Sequence, residues 1–351
     1  MNENKRIEYI DCMRGFTMIL VVACHVAAYC LGINDSTPSF HPVLYEFRMP
    51  LFFFISGFVL YREGVVWNLS HVASFLIKKK FPVQIITTFI FFLVYIKINN
   101  ISLLDGVFTE SKEGYWFTYI LFIYFCVYSI CRFVLYRFKC KDLIADMSLL
   151  TIGFLFYFFF FVKSIYNSLP IDEGIKNLLS LHHWGYYLFF TIGTLFKKHF
   201  TKVQMLLDEK ATLLICLVIF FGLNLYYNEL LDSHVNFLYL TTAITGIIIV
   251  FSFFRIHQAL FSKDTLIGRN LQFIGRRTLD IYLLHYLLLP LNLKVFFAPL
   301  SEYPVPLIEF SITIFISLIV VAGCLLISSI LRMSPILAYL LFGVKDKNQK
   351  H

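Results

Sequence analysis

Hydrophobic positions in this chain come in long runs rather than one-sided stripes. The first, Tyr9–Leu31, reads YIDCMRGFTMILVVACHVAAYCL. It is long enough to cross a hydrocarbon core of ~30 Å at ~1.5 Å per helical residue. Nine more runs follow, at Val43–Tyr61, Phe81–Ile96, Tyr115–Ile130, Met147–Val162, Trp184–Phe196, Thr212–Tyr227, Val235–Phe254, Leu271–Leu293 and Leu307–Leu331. The fifth and sixth are short or interrupted by glycine. The pattern predicts an all-α polytopic integral membrane protein with about ten transmembrane helices. No Pro/Gly/Ser linker, low-complexity tract or evident repeat divides it. It therefore reads as a single domain over 1–351, with helices at about 9–332 and a tail at 333–351. The apolar part of that tail, Pro335–Val344, is expected at the inner interface.

Composition agrees with this reading. Of 351 residues, 59% are hydrophobic and only 15% charged, and mean hydropathy is +0.74. A soluble domain of this size could not hide that much apolar surface. With an inside N-terminus, 23 of the 30 Lys and Arg fall on inside segments and 5 on outside ones, while Arg14 and Arg48 lie within spans. By the positive-inside rule this places both termini in the cytoplasm. The net charge of +8 then reflects topology and anionic lipid, and nucleic acid is not an expected partner. Asp11 and Arg14 break the first run and no small-residue cleavage site follows, so no cleaved signal peptide is expected. The eight cysteines show no CxxC or metal spacing. They read as small apolar core residues, with no structural disulfide and no metal site.

Ionisable groups inside spans are expensive and mark candidate function. Arg14 and His25 stand eleven residues apart in the first span, on one helical stripe with a rise of ~16 Å. Asp11 pairs with Arg14 at i,i+3, which by itself also serves as a headgroup anchor. It is too far from His25 to orient it, so any such partner must come from another helix. Arg48, at the outer end of the second span, either snorkels to the headgroups or stands as a fixed cation near the depth of His25. Gly57 lets a neighbour approach closely. Tyr282 and His285 share the outer half of the ninth span, His285 as a core hydrogen-bonder or as support for His25. Glu309, near the outer end of the tenth, is a candidate carboxylate to orient His25.

Four segments carry a resemblance. They are Asp11, Arg14, Gly15 and His25 as D-x-x-R-G with a later His; Arg48-Met49-Pro50-Leu51-Phe52-Phe53-Phe54-Ile55-Ser56-Gly57-Phe58; Tyr115-Trp116-Phe117; and Ile274-Gly275-Arg276-Arg277-Thr278-Leu279-Asp280-Ile281-Tyr282-Leu283-Leu284-His285. In this order they resemble membrane acyltransferase family 3. The resemblance implies acyl transfer, usually of acetyl, from cytoplasmic acyl-CoA to glycan hydroxyls across the membrane. It also implies that Arg14 and His25 are essential and that Arg48 takes part. The family's Arg-rich opening of the third helix is replaced by Lys78-Lys79-Lys80-Phe81-Pro82, so Lys80 would act as a point charge rather than a bidentate clamp.

Acyl transfer to an alcohol needs a base and a stabiliser for the oxyanion. A neutral imidazole suits the first task, so His25 is the expected base; an acyl-His route stays open. Acetyl-CoA is the expected co-substrate, with no permanently bound cofactor. Its phosphates would meet Arg14, Lys80, Arg276 and Arg277, though topology alone also explains the Lys78–Lys80 and Arg276–Arg277 clusters. Trp116, lifted by its motif above the ordinary aromatic belt, joins Tyr282, His285 and Glu309 as candidate acceptor contacts. A cell-surface or lipid-linked glycan acceptor and a bacterial cytoplasmic membrane are expected. The alternative is a non-catalytic transporter or flippase of a glycan or anion, whose usual repeats are missing.

Overall fold

The computed structural model describes residues 7–33, 40–227, 235–293, 295–297 and 305–344, and these are helical without a strand. In chain order the principal helices are α1 (Glu8–Cys30), α2 (His41–Leu60), α3 (Leu69–Ile98), α4 (Trp116–Arg137), α5 (Asp142–Phe161), α6 (Tyr187–Lys198), α7 (Phe200–Asp208), α8 (Lys210–Tyr227), α9 (Val235–Ile256), α10 (Leu266–Arg276), α11 (Thr278–Leu288), α12 (Pro306–Leu331) and α13 (Pro335–Phe342). Among the described residues, α1, α2, α3, α4, α5, α9 and α12 are long and apolar enough to cross a membrane, while α8 and α11 are shorter apolar helices. Lys5, Arg6, Lys294, Lys345, Lys347 and Lys350 of the charge count, and the end of the tail, lie outside the described residues.

Two expected spans differ from the helices found. The ninth is divided: α10 ends at Arg276, Arg277 takes φ −113° and ψ 18°, and α11 begins at Thr278. Adjacent Gly275, Arg276 and Arg277 mark the break, and α11 stops before Pro290, with Leu289 already extended, as a residue preceding proline prefers. The third starts earlier than expected, at Leu69, where Asn68 accepts the His71 N–H. The lysine triplet therefore lies inside α3. That helix widens to π geometry at Ser74–Lys80 and again at Pro82–Ile86, the second stretch opening on a proline that cannot donate a backbone bond.

The chain forms two compact units. One holds Met1–Ile55 and His199–Ser328; the other holds Ser56–Lys198 and Ser329–His351. In the first, α1 is the most deeply buried of the long helices. It packs backbone to backbone on α10: a Cβ on Gly15 would strike the Leu271 carbonyl oxygen, and one on Gly275 the Asp11 carbonyl oxygen. Small residues give membrane helices this close approach. In the second unit, the backbone of Phe190 on α6 fills the space that Gly57 leaves. Phe81, Phe89 and Leu93 of α3 stay exposed, as expected of a helix facing hydrocarbon.

An ion pair ties α7 to α9 in the first unit. Arg255 donates to both Asp208 oxygens, at 2.6 and 2.8 Å, and holds the Asp208 carboxyl below its ordinary pKa. A lowered carboxylate pKa adds stability above the ordinary carboxylate range, and this is lost as pH falls through the lowered value. Asp208 is half exposed, so the effect stays below ~1 kcal/mol. Asp208→Asn is expected to lower the thermal midpoint slightly at pH 7 and to match wild type once pH drops below the carboxylate range. An unchanged difference at both pH values would contradict this.

Candidate active site

The site forms along α1 of the first unit, and α11 collects both of its ionisable residues. Arg14 donates from Nη2 to Thr278 Oγ1 at 3.1 Å, at the start of α11, and lies 3.9 Å from the buried Asp11 carboxylate. Eleven residues later, His25 meets Tyr286 near the end of α11, with Tyr286 Oη 3.0 Å from His25 Nε2 and 3.5 Å from Nδ1. The helices therefore run side by side in one direction, with rises of ~16 Å on α1 and ~12 Å on α11 between the two contacts. Directly after His25 the backbone widens into π geometry at Val26–Cys30, a feature frequent at functional sites.

Around His25 stand His285, with ring centres 5.2 Å apart, Tyr286 at 4.9 Å and Tyr29 at 5.9 Å. From α2, His41 donates through Nε2 to the Cys24 carbonyl at 3.0 Å, and Arg48 hydrogen-bonds the Cys24 thiol. Arg48 is buried, its guanidinium 3.9 Å over the Tyr45 ring. His285 is fully buried, and its Nδ1 faces the carbonyls of Ile281 and Tyr282 at 3.1 and 2.8 Å. Glu309 is buried in the first turn of α12.

At the start of α11, Arg277 donates to Ser328 Oγ at 3.0 Å and lies 3.6 Å from Asp280, which also accepts the Ser328 hydroxyl. Arg276 is exposed. Among the described residues no three His, Cys, Asp or Glu side chains form a metal-holding cluster.

Lys80 and Trp116 belong to the second unit. The Lys80 ammonium lies 3.9 Å over the Phe125 ring. Trp116 stacks on His183 at 3.8 Å, with Tyr186 beyond at 6.2 Å. Burial first, then His182 and Lys112, push the His183 pKa down to about 3. That imidazole is therefore neutral throughout the physiological range.

His41 and Tyr286 stand at the site without being marked by the apolar pattern of the sequence. Tyr286 is legible by its spacing: Tyr282, His285 and Tyr286 stand at i, i+3 and i+4, one helical face. His41 had no signal, because it lies before the second apolar run.

Compared with known families, the chain matches an acyltransferase domain, acyltransferase family 3, over residues 7–329. It belongs to membrane acyltransferase family 3. None of the curated proteins or solved structures compared with it gives a match. Membership makes this chain a membrane acyltransferase, an enzyme of acyl transfer, in place of the transporter alternative.

Proposed function

We propose that this acyltransferase moves an acyl group, acetyl foremost, from cytoplasmic acyl-CoA to a hydroxyl of a cell-surface or lipid-linked glycan, within a bacterial cytoplasmic membrane. The observation that carries the reading is the placement of Arg14 and His25 against opposite ends of the same helix, α11. Arg14 meets the phosphates at the inner leaflet, joined by Arg276 and Arg277 of the same unit. The pantetheine arm follows α1, since the separation of Arg14 and His25 is comparable to its extended length. The thioester then lies beside His25.

His25 takes the proton of the attacking hydroxyl as general base. The oxygen bonds to the acyl carbon, the C–S bond breaks, and the thiolate recovers the proton from His25. Arg48, a buried cation on α2, stabilises the charge that builds on the tetrahedral oxygen. Tyr282 and Glu309 contact the acceptor.

Donor recognition is tested at Arg14. Arg14→Gln is expected to weaken binding of [3H]acetyl-CoA to the detergent-solubilised protein by about tenfold or more, one lost charge-assisted hydrogen bond being worth ~1.5–3 kcal/mol. Label transfer to endogenous glycan in membrane vesicles falls in parallel. Unchanged affinity and transfer in a folded variant would remove the donor path from the scheme.

A further inference from the structure

His285 carries an open hydrogen-bond position that the scheme above does not use. Its Nδ1 faces two backbone carbonyls, which only accept, so Nδ1 carries the proton and Nε2 carries the lone pair. That Nε2 is shut away from solvent and has no partner among the described residues. A buried acceptor left unpaired is costly.

The neighbouring ring able to supply a donor is His25. The Tyr286 hydroxyl sits nearer Nε2 of His25 than Nδ1. With Tyr286 donating to Nε2, the His25 proton resides on Nδ1 and needs an acceptor. Two imidazoles joined by an N–H···N bond of ~2.9 Å have ring centres roughly 5 Å apart. The observed separation of 5.2 Å matches that span, and the bond forms by reorientation of the two rings.

We infer that His285 is the positioning residue for His25: its Nε2 accepts the His25 Nδ1–H as the site engages substrate. This inference rests on the proposed role of His25 as base. The bond fixes the tautomer that leaves the His25 Nε2 lone pair for the acceptor hydroxyl, which displaces the Tyr286 O–H. In the step itself the hydroxyl proton passes to His25 Nε2, the C–O bond forms, the C–S bond breaks, and the same proton goes to the thiolate sulfur. The Nδ1 proton stays in place, shared with His285. A neutral imidazole thus does what a carboxylate does in a Ser-His-Asp triad, and the orienting task passes from Glu309 to His285.

The test compares His285→Phe, which keeps a ring but no acceptor, with His285→Gln, whose side-chain oxygen reaches close to the Nε2 position. Transfer of label from [3H]acetyl-CoA to endogenous glycan is followed in vesicles lacking the native copy, and [3H]acetyl-CoA binding is followed on solubilised protein. His285→Phe is expected to lower turnover about 100-fold. His285→Gln should recover at least tenfold of that loss, and donor affinity should stay within about twofold of wild type in both. Wild-type turnover in His285→Phe, failure of His285→Gln to recover activity, or a parallel loss of donor binding would overturn the inference. The His25 reading fails separately, if His25→Ala turns over like wild type.

Discussion

Replacing His25 by Ala is expected to cut acyl transfer by about 1,000-fold while leaving acetyl-CoA affinity within about twofold of wild type. A positioned general base contributes typically ~10²–10⁴ in rate, and His25 is the imidazole that Tyr286 reaches and His285 flanks. Donor affinity persists because the phosphate contacts are assigned to the far end of α11, at Arg14 and Arg277. The split between turnover and affinity separates lost chemistry from lost folding. It is read by label transfer in vesicles and [3H]acetyl-CoA retention on the solubilised protein. Equal losses in both would mean that His25 acts by holding the helix rather than by moving a proton.

The second large effect is structural. Gly275→Ala places a methyl group where the Asp11 carbonyl oxygen already lies. Backbone cannot swing aside as a side-chain end can, so the cost is expected at ~3 kcal/mol or more. Against a total stability of ~5–15 kcal/mol this removes a large share, and the thermal midpoint in detergent falls accordingly. Gly222→Ala on α8 is the control, because its Cβ meets nothing within 4 Å. There, alanine gains helix propensity of up to ~1 kcal/mol, so the midpoint holds or rises. Similar midpoints for the two variants would contradict the close packing of α1 on α10.

Much of this architecture is legible in the residues. Long apolar runs announce α1, α2, α4, α9 and α12, because a bilayer allows little else than a helix of that length. Arg14 and His25 are legible because their cost in hydrocarbon is high and their spacing places them on one stripe. Hydropathy alone misplaces the boundaries of α3 and the break before α11. Lys78, Lys79 and Lys80 read as the end of a span, yet long flexible stems let such residues continue a helix at an interface. The break at Arg277 is marked by Gly275, Arg276 and Arg277, which hydropathy averaged over a whole span passes over. The surroundings of His25 were legible only in part. His285 was visible as an ionisable residue in a span, whereas the clamp of His41 and Arg48 on Cys24 depends on how α2 packs on α1.

The central claim is that an acyl group reaches a glycan through His25. It is tested most directly by the mass of surface glycans from a strain lacking the gene, then carrying wild type or His25→Ala. Loss of one acetyl mass per modified sugar is expected in the deletion, with return on wild type and no return on His25→Ala. Identical glycan masses in all strains, or full restoration by His25→Ala, would contradict it.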